Sequence, residues 1–557
     1  MQGNAAAPSP LEDSPAPRRP VDAGGRRRAA GRALGISALV CCTGSVLLMI
    51  VSGLLGPSST EPVFGSARLL PPWFWTAHPP DALVCALVAL VLVLGTAAVV
   101  TGLAAVRRGW SPRPRTLLLC GGAAVMGLLC VPPVGTTDPL NYAVYGRMAT
   151  LGVDPYRTTP WAFAQGGDPI GHLALAEPWL HFPSVYGPLV TMTEWAASAA
   201  GGTSMLRTVW LLSVLNGAAF VATGALLLKL AGPDPARRVR SQLLWTLNPV
   251  LIWNLVAGPH IDTLGTLFVV AAFWALRRSG AATGLMLGAA TAVKITLGIL
   301  ALPLAWSMRH DRRRLAAAVA VGVLVVVVGY GFTPHAVLNA VRVSGQSAVG
   351  SPWPLLLRKL LVPVFGAAGG KAVMALLEIT LMAVLVVLLR ATLPLAADDD
   401  IAQRAARPAL VLVAAYLLGT AYVRPWYDGV AWVLLALVPR SWFDLVLLAH
   451  TTLMTMPFVP GLPYVLHPHR LNVLVLQVGY RIVPALQVLL LLTVLCVYAR
   501  RRPGARPPLL LRGTRRAGGR APARGAAPPA GPAVLDSRRD VRTAGARLTL
   551  FFDRRRR

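Results

Sequence analysis

Charge is scarce in this sequence, and its scarcity decides the class of the protein. Only 13% of the 557 residues are charged, whereas 55% are hydrophobic and the mean hydropathy is +0.59. A water-soluble domain cannot cover its surface with so few charged side chains. Apolar stretches long enough for a bilayer core, about 20 residues each, recur between Ile36 and Tyr498. The sequence therefore predicts an all-α, polytopic membrane protein and excludes a soluble enzyme on a single anchor.

Acidic residues are also few, with 22 Asp and Glu against 53 Lys and Arg. The resulting net charge of +31 would be compatible with binding of nucleic acid. The arginines, however, lie in two tails and in short loops between apolar segments. Residues 1–33 and 500–557 are predicted to be disordered, basic and cytoplasmic. The second tail carries seventeen arginines and three aspartates, so we expect it to contact anionic lipid rather than nucleic acid.

The six cysteines all lie inside or beside apolar segments, where a thiol behaves as a small hydrophobe. The sequence therefore predicts neither a disulfide nor a metal site, and it leaves open whether a divalent cation takes part as a cofactor. The apolar run from Leu34 to Leu55 is too long for the core of a signal peptide, so it is predicted to remain as the first span.

With a cytoplasmic N-terminus, the apolar segments predict a bundle of about fourteen spans, several of them short or broken. Both termini and the arginine-rich loops then lie on the cytoplasmic side, as the positive-inside rule requires. The predicted spans are 34–55, 82–106, 116–133, 205–231, 242–257, 263–277, 281–293, 296–306, 315–332, 371–391, 408–423, 429–438, 442–459 and 473–499.

Three segments of this topology need a separate interpretation. Residues 281–293 and 296–306 are predicted to form a hairpin with Lys294 at its apex, because a single span there would carry the following arginines to the outside. The apolar stretches Tyr186–Ala200 and Trp353–Phe365 are short and are predicted to be interfacial or re-entrant.

The longest hydrophilic insertion, about 134–188, faces outward in this topology. Within it, apolar residues recur at helical spacing over Leu140–Leu151, which predicts a helix lying in the membrane surface. Three Asp-Pro pairs begin at Asp138, Asp154 and Asp168. Helix capping would explain all three with one rule, whereas a general base at the membrane boundary would explain Asp138 alone.

Two cations could stabilise a phosphate leaving group. Lys294 has apolar neighbours in sequence, so it is either functional or extends toward an interface. Arg424 ranks lower because Asp428 could neutralise it. His260 and Asp262 could bind a sugar hydroxyl or belong to a plain polar loop.

Four aromatic side chains could either bind sugar or lie at the membrane interface. Tyr186, Trp426 and Tyr427, together with Trp179, could stack on sugar rings, but such residues also form interfacial belts.

Taken in chain order, several motifs resemble those of the actinobacterial polyprenol-phosphate-mannose-dependent α-(1→6)-mannosyltransferases, a family of GT-C membrane glycosyltransferases. The order and spacing of these motifs over residues 130–430 carry the resemblance. The matching segments are Asp138–Tyr156, Pro183–Leu189, Leu247–Val250, Gly258–Asp262, Ala292–Thr296 and Arg424–Tyr427.

The resemblance implies a GT-C helix bundle over residues 34–499, with an outer catalytic loop at about 134–188. It implies inverting transfer of mannose from polyprenyl-phosphate mannose to a lipid-linked mannan or related envelope glycan, with α-1,6 links formed at the outer face. Asp138 would be the base, and Lys294 and Arg424 would bind the donor phosphate. The implied substrate-binding residues are Tyr142, Arg147, Asp154, Tyr156, Tyr186, His260, Asp262, Trp426 and Tyr427.

Two alternatives remain at this point. A GT-C enzyme could transfer another sugar, such as arabinose, because Pro139 and the Gly258–Asp262 turn depart from the usual motifs. A flippase or transporter of lipid-linked sugars would also need many helices, but transporters often contain internal repeats and none is evident in this sequence.

Overall fold

The computed structural model describes residues 23–64, 71–173, 175, 178–344, 350–395, 400–462 and 465–500. Its regular elements within these ranges are all helices, without a β-strand, which confirms the all-α prediction. The α-helices are α1 Ala23–Leu54, α2 Asp81–Arg107, α3 Pro114–Leu129, α4 Asp138–Thr150, α5 Pro160–Ala164, α6 Pro169–Leu173, α7 Pro188–Gly201, α8 Met205–Leu230, α9 Pro235–Leu244, α10 Pro249–Ile252, α11 Asp262–Ala275, α12 Gly280–Val293, α13 Ala301–Met308, α14 Arg312–Gly331, α15 Pro334–Ser344, α16 Trp353–Leu356, α17 Val362–Thr392, α18 Ile401–Gly419, α19 Asp428–Leu437, α20 Phe443–Thr455, α21 His469–Gln477 and α22 Val483–Ala499.

Many of the described helices are apolar enough to lie in a bilayer. Seven are also long enough to cross it, namely Gly25–Leu54, Asp81–Arg107, Met205–Leu230, Arg312–Gly331, Lys359–Thr392, Ile401–Gly419 and His469–Ala499. Five shorter apolar helices accompany them, namely Pro114–Leu129, Asp262–Ala275, Gly280–Val293, Ile295–Met308 and Phe443–Phe458. A polytopic membrane bundle is therefore confirmed, whereas the number of fourteen spans stays a prediction.

Two segments differ from the sequence-based expectation. The first helix begins at Ala23, so residues 23–33 are helical and not part of a disordered tail, because their alanines and arginines favour helix. Residues 1–22 and 501–557 lie outside the described residues. The predicted span 242–257 is broken between α9 and α10, where the Asn248 side chain accepts a hydrogen bond from the Leu251 N–H at 3.4 Å.

The two short apolar stretches are both helical. Residues 188–201 form α7, and the 353–365 stretch forms α16, a π-helical turn Leu357–Leu361 and the first turn of α17. Gly366 interrupts α17 with a φ of 70°, a left-handed conformation that glycine adopts without steric cost. Whether either stretch is interfacial, re-entrant or spanning stays a prediction.

The chain reverses at Lys294, as predicted. This residue has an extended backbone, with φ −150° and ψ 118°, between the end of α12 and the 3₁₀ turn Ile295–Leu300. Helix α13 then returns beside α12, and Met308 at its end lines the same groove as Thr283 near the start of α12. Glycines of α12 pack directly on the backbone of α14, since a Cβ at Gly284 would collide with a carbonyl oxygen there.

One end of the bundle collects arginine contacts. The Arg240 guanidinium pairs with Asp444 at 2.6 Å, and Arg277 pairs with Asp400. Arg314, at the start of α14, donates to a carbonyl oxygen at the end of α11. The arginine-bearing ends of α9, α11, α14 and α18 therefore meet their neighbours there, and the opposite ends of α11, α12 and α18 lead to the candidate site.

Candidate active site

Helix α4 carries the first candidate residue at its first position. The helix predicted over Leu140–Leu151 exists, and its position in the membrane surface stays a prediction. Its first nine residues are buried, and α7 and α8 cover its apolar side chains. Gly146 permits this close packing, because a Cβ there would collide with the carbonyl oxygen of Glu194 in α7. The apolar face of α4 thus packs against protein.

Two of the three Asp-Pro pairs have the capping role. The Asp154 carboxylate accepts a hydrogen bond from the Tyr156 N–H at 2.8 Å. The Asp168 carboxylate accepts one from the Ile170 N–H at 2.9 Å. Both arrangements are the short-range side-chain turns that Asp favours ahead of proline. Capping of the local turn therefore accounts for these two residues.

Asp138 behaves differently, because side chains rather than backbone groups surround its carboxylate. The Trp179 indole Nε1 donates to Oδ1 at 3.2 Å, and the Tyr142 hydroxyl donates to Oδ2 at 3.5 Å. In the described part of the chain no backbone N–H donates to this carboxylate, and Thr137 holds the N-cap position instead. The capping explanation is wrong for Asp138.

Asp138 opens onto a cavity that gathers residues from distant parts of the chain. Seven residues that the sequence singled out line this cavity, namely Asp138, Trp179, Tyr186, Lys294, Arg424, Trp426 and Tyr427. They come from the outer loop, the α12–α13 hairpin and the segment between α18 and α19. These seven residues supply the cavity with a carboxylate, two cations and four aromatic rings.

His260 lies behind the cavity wall rather than on it. Its Nδ1 lies 2.7 Å from the carbonyl oxygen of Asn254 and 2.8 Å from that of Gly258, and its ring stacks on Trp426 with centroids 3.7 Å apart. Because carbonyl oxygens only accept, Nδ1 carries a proton and Nε2 faces Asp138 Oδ2 at 3.5 Å. Burial lowers the pKa of the imidazole. His260 therefore contacts the carboxylate, and a contact of His260 with substrate stays a prediction.

Asp262 also lies behind the cavity wall, where it contacts the lining residue Lys294. It begins α11, and its Oδ1 accepts a hydrogen bond from the Lys294 ammonium at 2.8 Å. The ammonium also lies 3.1 Å from the ring centroid of Tyr427. Lys294 therefore does not extend to an interface, since its side chain is only 17% exposed and already paired. Asp262 lies behind the cavity wall, where it neutralises the hairpin lysine.

Arg424 is not neutralised by Asp428. That carboxylate instead accepts hydrogen bonds from His450 at 2.9 Å and Thr451 at 2.6 Å. Arg424 is 9% exposed, its guanidinium carbon lies 5.1 Å from the ring centroid of Trp179, and its Nε has no hydrogen-bond partner. Among the described residues no carboxylate pairs with it. A buried unpaired cation at a cavity wall favours binding of an anion.

One glycine brings the two sides of the cavity together. The Gly187 N–H donates to the carbonyl oxygen of Val293 at 2.9 Å, directly beside Lys294. A Cβ at Gly187 would collide with the carbonyl oxygen of Ala292. The segment after Tyr186 can therefore touch the hairpin apex only without a side chain at this position.

Four more residues that the resemblance implied lie outside the cavity lining. Arg147 pairs with Asp168 at 2.8 Å. The Tyr156 hydroxyl lies 2.7 Å from Thr191 Oγ1, and Asp154 caps its own turn. Tyr142 is buried beneath the cavity, where its hydroxyl contacts Asp138. These contacts position the loop and α4, so a substrate-binding role for these four residues stays a prediction.

Sequence reasoning missed several lining residues. Asn141 and Tyr145 line the cavity, and the amide oxygen of Asn141 is buried without a hydrogen-bond partner. Both lie on the same face of α4 as Asp138, so helical spacing of three and seven residues could have identified them. Tyr416 and Tyr422 also line the cavity, but no local pattern singles them out.

In the described ranges no group of three His, Cys, Asp or Glu side chains could hold a metal ion. All six cysteines are free thiols.

The sequence is similar to a family of known proteins. Residues 38–310 match the family described as alpha-(1->6)-mannopyranosyltransferase, N-terminal domain. The chain is 33% identical over 142 residues to a probable alpha-(1->6)-mannopyranosyltransferase of Mycolicibacterium smegmatis, covering 25% of this chain and 24% of that one. It is 26% identical over 227 residues to alpha-(1->6)-mannopyranosyltransferase B of Corynebacterium glutamicum, covering 37% of each.

A third relative is alpha-(1->6)-mannopyranosyltransferase of Mycobacterium tuberculosis, which is 30% identical over 148 residues, covering 25% of this chain and 24% of that one. The matched segments thus span between about a quarter and two fifths of these relatives. No solved structure matches the chain.

Proposed function

We propose, from the match of residues 38–310 to the N-terminal domain of the alpha-(1->6)-mannopyranosyltransferase family, that the chain is an inverting membrane mannosyltransferase. Its donor is polyprenyl-phosphate mannose, and its acceptor is a hydroxyl of a lipid-linked mannan or related envelope glycan. The new bond is an α-1,6 link. Inversion at the anomeric carbon then requires that mannose be β-linked in the donor.

The reaction is a single displacement. The acceptor oxygen attacks the anomeric carbon of mannose, and the Asp138 carboxylate takes the hydroxyl proton. The bond between the anomeric carbon and the phosphate oxygen breaks, and the lipid phosphate leaves with the electron pair. Arg424 and Lys294 stabilise its negative charge, so no general acid is required.

The observation that carries this proposal is the arrangement of Asp138 and Arg424 around Trp179. The indole donates to the Asp138 carboxylate at 3.2 Å, while its ring centroid lies 5.1 Å from the guanidinium carbon of Arg424. Base and cation thus share one cavity, and the Trp179 side chain contacts both. In an inverting displacement the nucleophile and the leaving group act on opposite faces of the sugar, so base and cation would approach it from different sides.

Other cavity residues would bind the sugar. The rings of Tyr186, Trp426 and Tyr427 provide aromatic surface for it, and the unpartnered amide oxygen of Asn141 accepts a hydrogen bond from a sugar hydroxyl. His260 and Asp262 act indirectly, since one contacts the base and the other contacts the hairpin lysine.

The proposed reaction takes place at the outer face of the cell membrane. The cavity lies at the end of α11 and α18 opposite to their arginine contacts, and arginine-rich ends favour the cytoplasm. Both termini are then cytoplasmic, and the bilayer delivers the polyprenyl chain of the donor.

A reconstitution experiment tests this function. Full-length protein in liposomes is incubated with an α-1,6-linked mannan lipid and with labelled polyprenyl-phosphate mannose, polyprenyl-phosphate arabinose or nucleotide-linked mannose. We expect label in a new α-1,6 bond only from the first donor. Transfer of arabinose would identify another GT-C sugar. Movement of labelled lipid across the bilayer without a new bond would identify a transporter.

The close contact at Gly187 yields a structural prediction. Gly187→Ala should lower mannosyl transfer at least about tenfold, because the added methyl group pushes the loop of Tyr186 away from the hairpin that carries Lys294. The rate is measured with labelled donor at equal amounts of folded protein. Gly122→Ala is the control, since no heavy atom lies within 4 Å of a Cβ at that position in α3. Equal activity of both variants would contradict the positional role.

A further inference from the structure

A second polar cleft lies far from the candidate active site, between α13, α17 and α18. It encloses about 770 Å³, which is within the usual range for ligand pockets. Its basic lining residues are Arg309, His310, Arg390, Arg404 and Arg407. The start of α18 also contributes, and the adjoining Asp400 pairs with Arg277. The cleft therefore belongs to the arginine-bearing end of the bundle.

Two arginines of this cleft, Arg390 and Arg407, lie beside each other. Arg407 donates from Nε to the carbonyl oxygen of Leu393 at 3.1 Å and from Nη2 to the carbonyl oxygen of Arg390. These contacts hold Arg407 against the end of α17, beside Arg390. In the described part of the chain no ion pair joins Arg309, Arg390 or Arg407 to a carboxylate. Guanidinium groups that line one cleft and have no described carboxylate partner attract a phosphate, which arginine binds in a forked geometry.

The remainder of the lining is apolar, and part of it lies on the surface of the helix bundle. Leu302 and Trp306 on α13 are each 66% exposed, and Val386 and Val411 form the facing walls. The Arg309 guanidinium lies 4.5 Å from the ring centroid of Trp306, at the boundary between the polar and apolar parts. A free phosphate ion would contact only the polar part, whereas a phospholipid would contact both.

We propose that this cleft binds an anionic phospholipid. Its phosphate contacts Arg309 from one wall and Arg390 with Arg407 from the other, and its acyl chains lie on Leu302 and Trp306. Basic pockets between helices at the cytoplasmic side are a recurring form of lipid site. Bound lipid would connect the returning arm of the Lys294 hairpin to α17 and α18, and would stabilise the folded protein by mass action.

The test measures thermal unfolding of the full-length protein in detergent. Dioleoyl phosphatidylglycerol should raise the midpoint Tm by at least about 3 °C, whereas phosphatidylcholine and glycerol phosphate should not. The double variant Arg309→Gln/Arg390→Gln should lose most of this shift. Arg407 is left intact because it binds the carbonyl groups at the end of α17.

The matched control is Arg312→Gln/Arg313→Gln, which removes equal charge from the start of α14, outside the cleft lining. It should keep the full shift. An equal shift with phosphatidylcholine would overturn the proposal, as would an equal shift with glycerol phosphate, which would identify a free phosphate site. Equal responses of the two double variants would also overturn it. If the cleft variant does not fold, the comparison of the three additives on the unaltered protein still decides.

Discussion

Replacing Asp138 by Asn is expected to lower mannosyl transfer by about a hundredfold to ten-thousandfold, the usual loss for a general base. The variant should fold normally, because the carboxylate caps no helix and an amide oxygen can still accept the Trp179 hydrogen bond. The rate is measured with labelled polyprenyl-phosphate mannose, and folding with the thermal unfolding midpoint.

The other Asp-Pro pairs provide a matched control for this variant. Asp154→Asn changes the same dipeptide in the same loop, and Asn caps the turn as well as Asp does. Since Asp154 does not line the cavity, we expect its variant to retain at least about half of the activity. Unchanged incorporation in Asp138→Asn would remove Asp138 from the mechanism, and equal losses in both variants would indicate a general effect on the loop.

Replacing Arg424 by Gln is expected to lower transfer at least about a hundredfold, comparable to the loss of one oxyanion donor. The guanidinium is buried at the cavity wall and no described carboxylate neutralises it, so its charge is available for the leaving phosphate. Arg424→Lys should recover part of the rate, because it restores the charge but not the forked geometry.

The kinetic constants distinguish this role from a structural one. Loss of a phosphate contact should raise the KM for the donor and lower kcat, while the KM for the acceptor stays within about twofold. Arg157→Gln is the control, since that arginine is exposed and pairs with Asp154 in the outer loop. An unchanged donor KM together with an unchanged kcat in Arg424→Gln would exclude Arg424 from phosphate binding.

The structure changes which of the two cations is the better candidate to bind the donor phosphate. Sequence context favoured Lys294, because a lysine among apolar residues is costly in a membrane. In the structure Lys294 is already paired with Asp262, whereas the expected partner of Arg424, Asp428, contacts His450 instead. Removal of Lys294 alone would leave a buried carboxylate unpaired, so its effect on the rate would be mixed with a loss of stability.

Candidate site residues could be predicted where neighbouring sequence marked them, and could not where their position depends on distant contacts. Asp138, Lys294 and Arg424 were identifiable because a charged residue beside apolar sequence is conspicuous. The position of His260 behind Asp138 was not, because it depends on the stacking of His260 against Trp426, which is distant in sequence. Contacts of this kind follow from how helices pack, and one sequence contains no record of them.

The sequence by itself determined the membrane class, the position of most long helices and the reversal at Lys294. Each follows from a local rule, since a segment in lipid must be apolar over its length and arginine favours one side. Only the tertiary structure decided which Asp-Pro carboxylate faces a cavity and that, among the described residues, no carboxylate pairs with Arg424. The physical reason is that the same dipeptide can cap a turn or accept from a distant indole, and packing selects between the two. The scarcity of charge predicted a membrane protein, and the packing brought a few of its charged residues together in one cavity.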